Sequence, residues 1–336
     1  MEITRKLIRR ESLEKLYNSL SANRKMYAPV LDDDNQIVFN YNPDFSDVTF
    51  EHIRSQLSVK NVLFPRVENL FYYTNEKTES SISVLDLNKF PEVVLWGAHP
   101  CDTAAIDVLN SIFTRDIKDE FFAKRLEKLA VIGLSCHESD EYCFCTSTGI
   151  SPDSKKGSDI LLSRLENGDY HAEILTEKGN AIVATSPDLF EPVTNEKAVI
   201  ATVQRKFDNK VVTEKLAGAF EHPFWVSDSI RCLGCGACTY VCPTCACFDI
   251  QDETWGKKGR RFRSWDSCGF GLFTLHTSGH NPRSVQSQRW RQRIMHKFSY
   301  MPERNESLGC VGCGRCSSSC PVDMNIAEQL EAIQNI

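Results

Sequence analysis

The chain has 336 residues, 39 Lys and Arg against 45 Asp and Glu, a formal net charge of −6, and 15 Cys. That length supports about two domains with real cores; the charge balance gives no sign of a nucleic-acid surface, and no apolar run approaches a membrane span. The start is basic but lacks the apolar stretch of a secretory signal, so the cysteines read as reduced ligands in the cytoplasm rather than as disulfides.

In chain order, Ile3, Leu7, Ile8, Leu13, Leu16 and Leu20 fall at near-helical spacing and predict a first helix over residues 3–20. Residues 28–75 mix short β-rich pieces with turns such as Asp32-Asp33-Asp34-Asn35 and Asn42-Pro43. Val93-Val94-Leu95-Trp96-Gly97 reads as a short, fully apolar strand. Asp102 is then the expected N-cap of a helix burying Ile106, Leu109, Ile112 and Phe113. A second helix near 118–128 leads into another apolar strand, Leu129-Ala130-Val131-Ile132-Gly133-Leu134. Such a βαβ unit makes its two strands parallel.

Cys101 follows the first of these strands and Cys136 the second, so both thiols belong at one edge of the sheet, where α/β proteins place ligands. Cys143 and Cys145 lie on a loop that can fold back over Cys136. Four Cys at one edge suggest a third [4Fe–4S] cluster, with buried free thiols as the plain alternative. Further on, Asn167-Gly168 between Ile160–Leu165 and Tyr170–Leu175 is a strong hairpin signal. Lys178-Gly179-Asn180 reads as a turn into a strand at Ala181–Ala184, and helical pattern returns over 195–220. A boundary near His222-Pro223 divides an α/β (α+β) N-terminal domain, residues 1–222, from a second domain, residues 223–336.

That second domain carries two runs of the form C-x2-C-x2-C-x3-C-P. Cys232, Cys235, Cys238 and Cys242-Pro243 make the first; Cys310, Cys313, Cys316 and Cys320-Pro321 make the second. In bacterial-type ferredoxins three thiolates at this spacing bind one [4Fe–4S] cube, and the fourth reaches the other cube. Crossed ligation assigns Cys232, Cys235, Cys238 and Cys320 to cluster 1, and Cys310, Cys313, Cys316 and Cys242 to cluster 2. Structural zinc, which closes a tetrahedron from two separated Cys pairs, fits these dense repeats badly. The fold is thus a 2[4Fe–4S] ferredoxin-like domain with a long insertion, residues 246–309, between its Cys runs.

The insertion holds Lys257, Lys258, Arg260, Arg261, Arg263, Arg283, Arg289, Arg291, Arg293 and Lys297. These read as a solvated or internally paired surface, with docking of an acidic partner as the alternative. Cys245, Cys247 and Cys268 are three further thiols near the first run. Packing is the expected role, with donation to cluster sulfides or ligation completed by a non-Cys group left open. No G-x-G-x-x-G or P-loop is present, and His276, His280 and His296 lack metal-ligand spacing. The chain has wiring for electrons but no visible hydride site, flavin motif or substrate pocket.

Beyond the two runs, the sequence resembles the iron–sulfur subunit of anaerobic sulfite reductase and the related beta subunit of sulfhydrogenases, the cytosolic nickel–iron hydrogenases. The likeness is carried by Asn61-Val-Leu-Phe64-Pro65, Glu68-Asn-Leu-Phe71, Pro100-Cys101-Asp102 and Cys143-Phe-Cys145. It continues through Cys242-Pro-Thr-Cys245-Ala-Cys247-Phe-Asp249, Trp265-Asp-Ser-Cys268, Gly279-His-Asn281-Pro-Arg283 and Arg293-Ile-Met-His296-Lys297. The pieces around Phe248-Asp249, Trp265 and His280-Asn281-Pro282 look closer to the hydrogenase branch. The resemblance implies an electron-transfer subunit. It would carry electrons from a flavin-containing NAD(P)H-binding reductase subunit to a catalytic sirohaem or nickel–iron subunit, with no nucleic-acid or membrane partner. A self-standing iron–sulfur reductase acting on oxidised sulfur compounds, or a redox-sensing interaction protein, are the competing readings.

Overall fold

In the computed structural model, which describes residues 3–76 and 78–336, the two apolar runs after residue 92 do form adjacent strands. In chain order the strands are β1 (Thr4–Ile8), β2 (Lys25–Leu31), β3 (Ile37–Tyr41), β4 (Val67–Asn75), β5 (Ser80–Val84) and β6 (Val93–Ala98). They continue with β7 (Leu129–Leu134), β8 (Ile160–Arg164), β9 (Tyr170–Ile174), β10 (Phe190–Glu191), β11 (Phe248–Trp255) and β12 (Lys258–Trp265). One sheet runs β10-β1-β9-β8-β7-β6-β2-β3, and a second runs β11-β12-β4-β5.

The helices are α1 (Leu13–Ser21), α2 (Pro100–Thr114), α3 (Glu120–Glu127), α4 (Glu177–Thr185), α5 (Asn209–Gly218) and α6 (Phe224–Asp228). After them come α7 (Ala237–Tyr240), α8 (Gln286–Met295), a π-turn (His296–Tyr300), α9 (Met301–Asn305), α10 (Arg315–Ser318) and α11 (Ile326–Ile333).

β6 and β7 are buried along their whole length and pair in parallel, Val93 opposite Leu129. Strands covered on both faces need apolar residues at every position, which is why they read as unbroken runs. On one face Leu13, Leu16 and Leu20 of α1 and Ile182 of α4 pack on Trp96 and Ile132. On the other, Leu109 and Phe113 of α2 meet Leu95 and Val131, and Phe113 stacks on Phe122 of α3 at 4.7 Å. A separate core gathers Trp290, Ile294, Phe298 and Leu330, with Cys232, Cys310, Cys316 and Cys320 against its edge.

Several local expectations are corrected. Residues 4–8 form a strand rather than the start of a helix, because β9 and β10 supply partners on both sides and only the Leu7 and Ile8 end is buried. Helix begins at Leu13. Ala181–Ala184 is helical, not extended: the Thr176 hydroxyl accepts from Gly179 N at 3.1 Å and caps α4. Gly179 serves close approach rather than a turn, since a Cβ there would lie 2.3 Å from the Asp159 carbonyl oxygen. Of residues 195–220, only Asn209–Gly218 is helical, capped by Asp208. Asp102 is not the N-cap of α2; His99 holds that position and Pro100 opens the helix.

The segment between the Cys runs is internally paired, as expected, and joined to the rest of the fold. Its hairpin β11–β12 pairs with β4, so contacts cross the expected 222/223 boundary. Its basic side chains are largely spoken for within the chain: Arg260 by Glu253 at 2.7 Å, Arg261 by Asp252 at 2.6 Å, Lys257 by Glu76. Arg263 is buried between Glu68, at 2.6 Å, and Asp119. Among the described residues no helix is long and apolar enough to cross a membrane.

Candidate functional site

The two Cys runs fold alike, position for position. Gly234 and Gly312 have φ of +67° and +64°; Gly236 and Gly314, at +76° and +74°, each precede a four-residue helix, α7 or α10. Left-handed backbone at these points curls each run around its three thiols, a conformation that a side chain would resist.

Cys232, Cys235, Cys238 and Cys320 together line one cavity, site I. Gln286 Nε2 donates to Cys232 Sγ at 3.1 Å and Met324 N to Cys320 Sγ at 3.2 Å. Cys235 is exposed, so this site reaches the surface.

Cys242, Cys310, Cys313 and Cys316 form site II, close enough for the charges on their sulfurs to act on one another. Burial pushes Cys310 up to about 11 and Cys316 up to about 12, with Cys242 adding to both. Gly312 N donates to Cys310 Sγ at 3.4 Å, and Lys297 Nζ to Cys242 Sγ at 3.3 Å.

Cys101, at the start of α2, and Cys136, Cys143 and Cys145, after β7, line a small cavity, site III. Burial pushes Cys136 and Cys145 up to about 12. Arg54 Nη2 donates to Cys143 Sγ at 3.4 Å and Arg54 Nε to the Cys313 carbonyl at 3.2 Å, while pairing with Asp140. Phe144 N bonds the Gly312 carbonyl at 2.9 Å, so the loops of sites II and III are stitched together.

Two shared residues put the sites in line. Cys316 of site II also lines the site I cavity, and Cys313 of site II also lines the site III cavity. The order is therefore III, II, I. Donors aimed at sulfur, glycines that let backbone N–H approach it, and thiols gathered in fours make a donor set suited to iron–sulfur cubes. Among the described residues no group of three or more His, Cys, Asp or Glu side chains is arranged to hold a single metal ion.

The remaining thiols flank sites I and II. Cys245 lies against Cys242, and Cys247 against Cys268, each thiol acting on its neighbour. The base of the β11–β12 hairpin brings Cys247 and Cys268 together, Asp266 N bonding the Cys247 carbonyl at 3.0 Å. That contact, offset by burial and helped by Arg293, holds the Cys268 thiol down at about 6, and Cys268 also lines the site I cavity.

Functional side chains that motif reading missed are the cations Arg54, Lys60 and Arg315. Lys60 is buried within the mostly apolar stretch Val59 to Phe64, and a Lys in such a run is the signal that could have found it. Arg315 lies inside the second Cys run. Beside site III, His52 lies against His99 with ring centroids 4.3 Å apart and the rings tilted by 36°. Burial, then the charges of His99 and Arg315, hold His52 well below its ordinary 6.5. The unfolded chain therefore takes up this proton first on acidification, and stability present above pH 6.5 is lost as pH falls below it. The urea midpoint, read by tryptophan fluorescence, should drop from pH 7 to pH 5, and His52→Gln should flatten that drop.

Residues 231–324 match the family model described as a 4Fe-4S dicluster domain. The whole chain is similar to Sulfhydrogenase 2 subunit beta of Pyrococcus furiosus, 31% identical over 336 residues, covering 96% of each chain. No solved structure matches.

Proposed function

The chain belongs to the family of sulfhydrogenase beta subunits, and from that premise we propose that it is the electron-transfer subunit of a multi-subunit hydrogenase or sulfur reductase in the cytoplasm. Its partners are a flavin-containing NAD(P)H-binding reductase subunit on one side, and on the other a catalytic subunit with a nickel–iron or sirohaem centre. Sites I and II hold one [4Fe–4S] cluster each through the eight Cys of the two runs, and site III holds a third. When bound, such clusters supply one-electron carriers whose potentials answer to burial, charge and hydrogen bonding.

The observation that carries this reading is the linear order of the sites, with Cys316 of site II lining the site I cavity and Cys313 of site II lining the site III cavity. A relay needs stations within close reach and at least one end at the surface. The exposed Cys235 gives site I such an end. The chain's own residues play a static part, in which Gln286, Gly312 and Met324 fix the thiolate sulfurs and the glycines hold the backbone around them.

Anaerobically purified protein should contain about twelve irons per chain, four per site, and show reduced-state EPR signals. Cys101→Ser should lower the content by about four while leaving the signals of the two-run clusters in place. About eight irons in the wild type would remove site III from the relay. Stoichiometric zinc without any reduced-state signal would sink the whole reading.

A further inference from the structure

Three cations are buried around sites I and II: Lys60 is 3 % exposed, and Arg293 and Lys297 are 4 % each. A charge taken out of water requires an opposite charge nearby. Arg315, equally buried, has one in Asp102 at 2.6 Å. The partners of the other three are of a different kind. Lys297 Nζ donates to Cys242 Sγ at 3.3 Å, Thr244 Oγ1 at 3.0 Å and the Gly309 carbonyl at 2.7 Å. Arg293 donates to Cys245 Sγ at 3.4 Å and to the Cys238 carbonyl at 3.0 Å, and its Nε is buried without a partner. Lys60 donates to the carbonyls of Thr239 and Cys245 and lies 4.0 Å from the Trp265 ring centre. None of the three has a carboxylate among these partners, and what they surround is sulfur.

We propose that Lys297, by placing an uncompensated positive charge against a ligand sulfur of site II, raises the reduction potential of the cluster held there. The inference rests on sites I to III being iron–sulfur centres. A cluster that accepts one electron gains one negative charge, with no bond made or broken in the protein. In a medium of low polarisability a fixed cation at contact distance stabilises that reduced state over the oxidised one. Lys297 touches site II and neither of the others. The sulfurs of site I receive neutral donors, from Gln286 and the Met324 backbone. At site III the nearby Arg54 is already neutralised by Asp140. Gly309 makes the contact feasible, since a Cβ there would lie 2.9 Å from Lys297 Cα.

The test is an EPR-monitored redox titration of the complete chain, with dithionite as electron donor. In Lys297→Met one cluster's midpoint should move to lower potential while the others stay, at unchanged iron content; Lys297→Arg should keep the wild-type value. A merely structural lysine would alter iron content or melting without a selective shift in potential. In case Lys297→Met fails to assemble, the reduced wild-type protein labelled with 15N-lysine should show a weak nitrogen coupling in pulsed EPR. Cluster signals with no selective shift, or with no lysine coupling, would overturn the role of Lys297 and leave the electron-transfer reading intact. Absence of cluster signals in the wild type would instead fell that reading.

Discussion

Arg315→Met should destabilise the protein by about 3–5 kcal/mol, the usual penalty for stranding one member of a buried ion pair. Arg315 is 1 % exposed and Asp102 2 %. The guanidinium spans the molecule: Nη2 reaches Asp102 Oδ2 at 2.6 Å and Ser55 Oγ at 3.0 Å, and Nε reaches the Ser55 carbonyl at 2.9 Å. One side chain in the second Cys run thereby fastens α10 to the start of α2, beside Cys101. Removing it leaves the Asp102 carboxylate buried and unpaired, a large share of the roughly 5–15 kcal/mol that holds an ordinary domain together. The melting temperature should fall clearly, and iron should be lost from sites II and III. Arg315→Met combined with Asp102→Asn should recover much of the loss, because no naked charge remains. A single variant that melts like wild type would show the pair to be immaterial.

Gly312→Ala should cost at least about 3 kcal/mol, from a left-handed backbone hostile to a side chain together with overpacking. Its φ is +64°, and an added Cβ would lie 2.5 Å from Cys145 N and Cα and 2.6 Å from Phe144 C. Those neighbours are backbone, so no rotamer change relieves the clash. They are also the loop that carries two thiols of site III, and Gly312 N bonds Cys310 of site II. Melting temperature and iron content should therefore drop together. Gly218→Ala is the control: nothing lies within 4 Å of its would-be Cβ, and both measurements should stay near wild type. If Gly312→Ala matched that control, the close contact between the two loops would have no energetic weight.

What could be read from the chain depended on how far each residue's partner lies along it. The apolar runs at Val93 and Leu129 and the Asn167-Gly168 hairpin carry their signals within a few residues, and they appear where expected. The Cys runs were legible because their spacing follows the shape of the ligated group rather than the rest of the fold. The start of the chain was not, since Leu7 and Ile8 suit a helix face or a strand end, and only pairing to β9 and β10 decides. The turn reading of Lys178-Gly179-Asn180 overlooked the cap at Thr176 and took a close-packing glycine for a bend. Lys60 and Arg315 were invisible for a plainer reason: their partners lie 185 and 213 residues away. The charge count of the insertion likewise hid that Arg263, Arg293 and Lys297 point inward.

The crossed thiol assignment proposed for sites I and II has a consequence for how the polypeptide is made. During translation Cys232, Cys235 and Cys238 leave the ribosome long before Cys320, and Cys242 before Cys310, so neither four-thiol cage exists on the nascent chain. The β11–β12 ribbon emerges in between and docks on β4, far upstream, tying late folding to early folding. On that assignment, metal delivery to both sites would follow completion of the chain through Cys320. A product cut short before Cys310 would lack the thiols that complete both sets.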